Sequence, residues 1–97
     1  MTSEQMFIAG EWCDSEDGAT ADILNPATGE VIATTPKATT ADVERCIQAS
    51  RAAFTSKDWG LMDPAQRGRM LQKMAAATYA NAKSLAAIES SNNGKTF

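Results

Sequence analysis

The amino-acid composition changes at the stretch Thr39-Thr40-Ala41-Asp42-Val43-Glu44-Arg45-Cys46-Ile47. The residues before it are rich in Gly, Pro and Thr, and those after it are rich in Ala, Met, Lys, Arg and Gln. Thr39 is a good N-cap residue, and Asp42 lies three positions later, near the positive end of the helix dipole. The residues that follow at helical spacing, and so form one apolar face, are Val43, Cys46, Ile47, Ser50 and Phe54. We therefore predict a helix from about residue 40 to residue 55.

The segment before this helix, residues 1–38, is rich in Gly, Pro, Thr and short apolar runs, which is typical of β-structure. Ala9-Gly10 lies between two such runs and predicts a tight hairpin. A second hairpin is predicted from two runs, residues 21–24 and 31–34, that flank Asn25-Pro26-Ala27-Thr28-Gly29. Asn-Pro opens that turn, Gly29 closes it in the left-handed conformation, and Pro36 is expected to end the last run.

The segment 39–97 is predicted to be helical, with two further helices. Asp63, Pro64 and Gln66 have the spacing of a capping box that begins the second helix. Asn81 is expected to cap the third helix and Gly94 to end it. The side chains predicted to face inwards are Leu71, Met74, Ala75, Thr78, Leu85 and Ile88. The chain is therefore predicted to fold as two β-hairpins followed by three α-helices.

Composition excludes several classes of function. The 97 residues are 43% hydrophobic and 22% charged, which is typical of a folded globular protein. The net charge of −3 disfavours nucleic-acid binding, because phosphates are bound by a surplus of Lys and Arg. No apolar run approaches the roughly 18 residues of a membrane span, and the first residues lack the features of a signal peptide. Because two cysteines are too few to staple a small secreted protein, we expect a cytoplasmic protein.

The absence of histidine removes the commonest general base and metal ligand. The two cysteines, Cys13 and Cys46, are too few for a zinc site or a disulfide framework. Cys46 is predicted to be buried and inert on the apolar face of its helix, and Cys13 to be structural.

Three other features have ordinary structural interpretations. Gly94-Lys95-Thr96 resembles the end of a phosphate-binding loop, but Glu89 stands where that motif needs glycine, and the tripeptide leaves a helix. The basic residues Arg67, Arg69 and Lys73 are expected to form a solvated face, with a partner-subunit or acidic-ligand contact as the alternative. The large aromatic residues Trp12, Phe54 and Trp59 are expected to be packing anchors, with stacking platforms as the alternative.

Five motifs in order resemble the opening of NAD(P)-dependent aldehyde dehydrogenases. They are Phe7-Ile8-Ala9-Gly10-Glu11-Trp12, Asn25-Pro26-Ala27-Thr28-Gly29-Glu30-Val31-Ile32, Ala38-Thr39-Thr40-Ala41-Asp42-Val43, Trp59 with Arg67-Gly68-Arg69-Met70-Leu71, and Glu89-Ser90-Ser91-Asn92-Asn93-Gly94-Lys95. The resemblance implies an α/β fold, in which residues 1–97 form the N-terminal portion of a Rossmann-like coenzyme domain.

The same resemblance implies an activity for the parent enzyme. A cysteine thiolate attacks an aldehyde, hydride passes to NAD or NADP, and water releases a carboxylate. The nucleophile, the general-base glutamate, the oxyanion-hole asparagine and the coenzyme loops match no position here. We therefore expect the chain alone to be catalytically inactive, and the full-length enzyme to be a homo-oligomer.

One site of the family, a structural cation site, includes residues of this segment. The resemblance implies a structural Na⁺ or K⁺ held by the backbone carbonyls of Ile23 and Leu24 and by Asn92, with a further ligand beyond Phe97. Asn92 stands where the family has an aspartate, so its neutral amide can coordinate a hard cation but adds no charge.

An alternative of a different class is a free-standing, non-catalytic α+β module for interaction or oligomerisation. Phe97, an apolar residue three positions after the helix stop, favours the fragment, as does the shortage of partners for the apolar faces. The identity of the aldehyde, the choice between NAD and NADP and the oligomeric state are left open by the sequence.

Overall fold

The computed structural model of the chain describes residues 2–96. Over this range the strands are β1 (Thr2–Ser3), β2 (Met6–Ile8), β3 (Glu11–Cys13), β4 (Thr20–Leu24) and β5 (Val31–Pro36). The helices that follow are α1 (Thr40–Thr55), α2 (Pro64–Ala80) and α3 (Ala82–Asn93). The predicted order of two hairpins and three helices is confirmed, as are the limits of α1.

The first hairpin pairs β2 with β3 in antiparallel register, with Phe7 opposite Trp12. The turn residues Ala9 and Gly10 have φ angles of 54° and 81°, and two positive values are the mark of a type I′ turn. The Phe7 and Trp12 rings lie 4.9 Å apart between centroids and are inclined at 52°. The tight turn predicted at Ala9-Gly10 is therefore confirmed, and it is closed by a cross-strand aromatic pair.

The second hairpin belongs to a three-stranded sheet of order β1-β5-β4. The Asn25 side chain accepts a hydrogen bond from the Ala27 N–H at 2.9 Å, and Gly29 has a φ of 77°, as the turn chemistry predicted. Pro36 is the last residue of β5, as predicted. The parallel partner β1 reaches only Thr34, so the missing N–H of Pro36 breaks no bond to it.

The strand β1 was not anticipated from the sequence. Its two residues pair in parallel with Ala33 and Thr34, and the Glu4 N–H donates to the Thr34 carbonyl at 2.9 Å. Thr2 and Ser3 are too few and too polar to show any alternation of apolar residues. Long-range pairing with β5 therefore decides the conformation of Thr2 and Ser3.

The helix ends agree with the sequence in part. Thr39 and Asp42 form a reciprocal capping box at the start of α1. At α2 the capping box predicted with Gln66 is wrong, because the Asp63 carboxylate accepts instead from the Ala65 N–H at 3.1 Å. The Asn81 side chain does not cap α3; it donates to the Ala77 carbonyl at the end of α2, at 2.8 Å. Gly94 ends α3 with a φ of 76°, as predicted.

Apolar burial is concentrated in the first part of the chain. Among residues 2–96 the buried apolar side chains are Ile8 and Ala33, and neither α2 nor α3 has a buried residue. The Cα radius of gyration is 16.9 Å, against about 12.5 Å for a compact domain of this length. The chain is a flat body of 47 × 35 × 15 Å. Most of the surface of α2 and α3 is therefore in contact with solvent and not with other elements.

This exposure overturns several packing predictions. The side chains expected to face inwards from α2 and α3 are exposed, namely Leu71, Met74, Ala75, Thr78, Leu85 and Ile88. Cys46, predicted to be buried, is exposed. Trp12, Phe54 and Trp59 are exposed too, although Trp12 packs against Phe7 in the first hairpin. For the helical residues the reason is the same: helical periodicity identifies an apolar face, but these faces have no second layer within the described residues. Phe97 lies outside those residues.

Within residues 2–96, no helix combines the length and the apolar character needed to cross a bilayer.

Candidate functional site

A cleft of about 360 Å³ lies between the three-stranded sheet and the last turn of α3. Strands of the sheet contribute Ile23 and Ile32, while α3 contributes Ser91 and Asn92. Thr2 and Glu4, from β1 and the residue beyond it, complete the polar part of the lining. Elements that are far apart in the sequence therefore meet at one concave surface.

An irregularity in the sheet shapes one wall of this cleft. Ile23 pairs with Ala33 but Leu24 pairs with Val31, so the register skips Ile32. A bulge of this kind takes backbone groups out of the regular ladder. Two of the residues named by the cation prediction, Ile23 and Leu24, thus lie on either side of a local break in strand pairing.

The opposite wall is fixed by close contact between Gly94 and the turn after β4. A Cβ atom on Gly94 would lie 3.0 Å from Pro26 Cγ and 3.2 Å from the Ala27 nitrogen. Glycine therefore satisfies two requirements here, the left-handed φ and the close approach of the backbone. This contact holds the C-terminus of α3, and Asn92 with it, against the β4–β5 hairpin.

The electrostatics of the cleft favour a cation. Glu4 brings a carboxylate whose Oε1 accepts a hydrogen bond from the Thr2 hydroxyl at 2.7 Å. The carbonyl end of α3 adds the negative end of a helix dipole. No Lys or Arg belongs to the cleft lining, and among residues 2–96 no group of three or more His, Cys, Asp or Glu is placed to hold a metal.

The predicted cation ligands are therefore only partly brought together. Ile23 and Asn92 line the same cleft, whereas Leu24 follows across the bulge and does not contribute to the lining. The available donors are carboxylate, amide and carbonyl oxygens, which suit hard cations such as Na⁺ and K⁺. The donor set fits the ion, and its binding here stays a prediction. Glu4, which also lines the cleft, is not among the residues predicted from the sequence, because nothing there pointed to β1.

A second polar centre surrounds Asp42, which is only 2% exposed. Its carboxylate accepts from the Thr39 N–H at 2.9 Å and from the Glu16 N–H at 3.2 Å to each oxygen. The Arg45 Nη2 lies 3.3 Å from Asp42 Oδ1. The hydrogen bond from the Thr39 backbone, with further help from Glu16 and Arg45, lowers the pKa of Asp42 although burial opposes it. The carboxylate is occupied in tying the loop before β4 to α1.

Neither cysteine is built into a catalytic pair. Cys13 is half-buried, with its Sγ 3.6 Å from Arg45 Nη2. Cys46 lies in an open groove of about 400 Å³ between the first hairpin and α1. Both thiols are free, and the sequence offers no histidine to act as their base.

Comparisons with known proteins give a consistent result. The sequence model of the aldehyde dehydrogenase family matches residues 12–97. The chain is 40% identical to retinal dehydrogenase 2 of Homo sapiens, a match that covers 96% of this chain and 18% of that protein. It is 39% identical to the putative aldehyde dehydrogenase DhaS of Bacillus subtilis, where the shares are 96% and 19%.

Solved structures agree with these relatives. A betaine aldehyde dehydrogenase from Staphylococcus aureus, in complex with NAD⁺, is 38% identical with a TM-score of 0.89, covering 96% of this chain and 18% of its own. An NAD-dependent aldehyde dehydrogenase from Sinorhizobium meliloti is 37% identical with a TM-score of 0.86, with shares of 92% and 18%. The chain thus spans about a fifth of the length of the proteins it matches.

Proposed function

Because this chain belongs to the aldehyde dehydrogenase family, we propose that it forms the N-terminal part of an NAD(P)-dependent aldehyde dehydrogenase. That enzyme oxidises an aldehyde to a carboxylate, and it works as a cytoplasmic homo-oligomer. Residues 2–96 supply architecture and no reacting group. Bound NAD or NADP supplies the hydride acceptor, and the residues that contact it lie in other parts of the enzyme.

The observation that carries this proposal is the exposure of the helical faces. Leu71 is 57% exposed and Met74 is 63% exposed, although both lie on the apolar side of α2. Large apolar side chains in this number are rarely left uncovered on a protein of this size. The remainder of a full-length aldehyde dehydrogenase is large enough to cover these apolar faces, because the relatives are about five times longer than this chain.

A chimeric enzyme tests the proposal directly. The matching N-terminal residues of the Staphylococcus aureus betaine aldehyde dehydrogenase are replaced by residues 2–96 of this chain. We expect the chimera to fold and to form NADH in the presence of betaine aldehyde, because the replaced part contributes scaffold only. The measurement is absorbance at the NADH band, with the 97-residue chain alone as a parallel sample that produces none.

Two controls make the outcome decisive. A chimera carrying Gly94→Val tests whether the contact with Pro26 and Ala27 matters in the complete fold, and we expect it to lose stability. A chimera carrying Gly18→Val alters a glycine of similar φ that has no neighbour within 4 Å of a Cβ, so it should be the milder change. A folded but inactive chimera, or aldehyde oxidation by the chain alone, contradicts the proposal.

A further inference from the structure

We propose that Asn93 is a site of spontaneous deamidation, and that the hydrogen bonds at the end of α3 set the rate of the reaction. The modification converts a neutral amide into a carboxylate next to Gly94, where α3 contacts the β4–β5 hairpin. It needs water and no cofactor. Its failure and the failure of the proposed part in aldehyde oxidation are therefore separate results.

The sequence distinguishes Asn93 from the other asparagines, because it is the one that a glycine follows. The other three are followed by Pro26, Ala82 and Asn93 itself. Deamidation begins when the backbone nitrogen of the next residue attacks the side-chain carbonyl carbon. Proline has no N–H to lose, and a Cβ on the next residue obstructs the approach, so glycine is the most permissive neighbour.

The reaction consumes water and releases ammonia. The Gly94 nitrogen loses its proton and forms a bond to Asn93 Cγ, and the bond from Cγ to Nδ2 breaks as ammonia leaves with that proton. Water then adds to one of the two carbonyl carbons of the succinimide ring and opens it. The product at position 93 is aspartate or isoaspartate, and either one adds one negative charge. No oxidant or reductant takes part.

The folded chain engages both reacting groups in hydrogen bonds. The Gly94 N–H donates to the Ser90 carbonyl at 2.9 Å. Asn93 Oδ1 accepts from the Lys95 N–H at 2.8 Å, and Asn93 Nδ2 donates to Glu89 Oε1 at 2.8 Å. The Gly94 nitrogen cannot lose its proton and turn towards Cγ while these bonds are intact. The attack therefore requires the last turn of α3 to open.

Little else keeps this end of α3 closed. The helix has no buried residue, Asn93 is exposed, and Gly94 is half-buried. Helix ends with few packed side chains open at a small cost in free energy compared with a buried core. Water and hydroxide reach the exposed amide whenever the turn opens, so the folded chain slows the reaction without preventing it.

A carboxylate at position 93 destabilises the end of α3 in two ways. It faces Glu89 one helical turn away, where the Asn93 amide had donated a hydrogen bond and two like charges now repel. It also lies at the negative end of the helix dipole. The contact of Gly94 with Pro26 and Ala27 should therefore loosen once the amide is lost.

The first experiment incubates the 97-residue chain at mildly alkaline pH and maps deamidation by mass spectrometry of its peptides. We expect the mass gain of amide-to-acid conversion at Asn93, with Asn92 as the internal control. Isomerisation at Asp17-Gly18 leaves the mass unchanged and does not interfere. The same chain in guanidinium chloride at the same pH should react at least about tenfold faster, because two hydrogen bonds no longer restrain the reacting groups.

Matched variants test the role of the hydrogen bonds. Glu89→Ala and Glu89→Gln both remove a charge, but only Glu89→Ala removes the acceptor of the Asn93 amide. Glu89→Ala should therefore deamidate about fivefold faster than Glu89→Gln. Glu44→Ala removes the same kind of contact, to Gln48 on α1, and should leave the rate at Asn93 unchanged.

The variant Asn93→Asp tests the consequence of the modification. Amide hydrogen exchange at Gly94 should be faster in Asn93→Asp than in the unaltered chain, and Glu89→Gln in that variant should restore part of the protection. Absence of the mass gain at Asn93, an equal rate in guanidinium chloride, or equal rates in Glu89→Ala and Glu89→Gln overturns the proposal.

Discussion

The β-rich segment with the start of α1 and the pair α2–α3 are held together by different means. In the first region, Asp42 is buried and joins Glu16, Thr39 and Arg45 across a loop and a helix end. In the second region, Asp63 caps the start of α2 and the left-handed Gly94 ends α3, but neither helix has a buried residue. The difference shows that local signals set where a helix of this fold begins and ends, whereas the stability of that helix depends on a layer packed against it.

The largest expected effect comes from removing a buried side chain in the first region. Ile8 is 9% exposed, so Ile8→Ala should cost about 2–5 kcal/mol of unfolding free energy through lost burial and a cavity. Urea denaturation followed by Trp12 fluorescence, in a Trp59→Phe background, measures the change. A loss below about 0.5 kcal/mol would mean that the first region is no better packed than α2–α3.

The next effect concerns the contact that joins the two regions. Gly94→Ala forces a left-handed residue, which costs about 1–3 kcal/mol, and places a Cβ 3.0 Å from Pro26 Cγ. Gly18→Ala is the matched control, because it has a similar φ of 73° and no atom within 4 Å of its Cβ. We expect Gly94→Ala to be the more destabilising in urea denaturation; equal losses would show that the packing against the turn is unimportant.

A pH dependence distinguishes the polar centre of the first region. The pKa of Asp42 is lowered from its ordinary value of 3.8, so its ionised form is favoured by folding. This stability is present above about pH 4 and is lost as the pH falls through the lower folded pKa. Amide exchange at Glu16 should therefore quicken upon acidification, once corrected for the intrinsic rate.

The variant Asp42→Asn provides the control for this titration. Its amide cannot ionise, so the protection of the Glu16 and Thr39 amides should be weaker at neutral pH and should not vary between pH 5 and pH 2. The same acid-dependent loss in Asp42→Asn would assign the effect to another carboxylate.

The smallest effect is expected in the second region. Leu71→Ala in the 97-residue chain should change the unfolding free energy by no more than about 0.5 kcal/mol, because the side chain is already exposed. In the chimeric enzyme the same substitution should cost about 2–5 kcal/mol, if further polypeptide covers this face. Equal losses in the two settings would remove the contrast on which the proposed function rests.

The sequence predicted those features whose causes are local. The type I′ turn at Ala9-Gly10, the Thr39–Asp42 capping box and the left-handed Gly94 each depend on residues a few positions apart. Cys46 was placed in a core because its helix face is apolar, yet whether that face is covered depends on residues distant in the sequence. Periodicity gives the direction of a side chain and says nothing of what lies opposite.

The candidate cation site shows the same division. Ile23 and Asn92 were named from resemblance, and their common cleft became visible only in three dimensions. No local sequence pattern indicates that Glu4 lies at the cleft. Its place there follows from the pairing of the two-residue strand β1 with a strand some thirty residues later. The negative charge of this cleft therefore depends on the pairing of β1 with β5, which brings Glu4 there, and not on a local sequence motif.

Residue-level hydrogen exchange on the 97-residue chain and on the chimeric enzyme tests the central claim most directly. The account predicts that amides of α2 and α3 are far better protected in the chimera, while those of Glu16, Thr39 and Asp42 exchange at similar rates in both. Equal and strong protection of α2 and α3 in the chain alone would contradict it, because those helices would then need no further polypeptide.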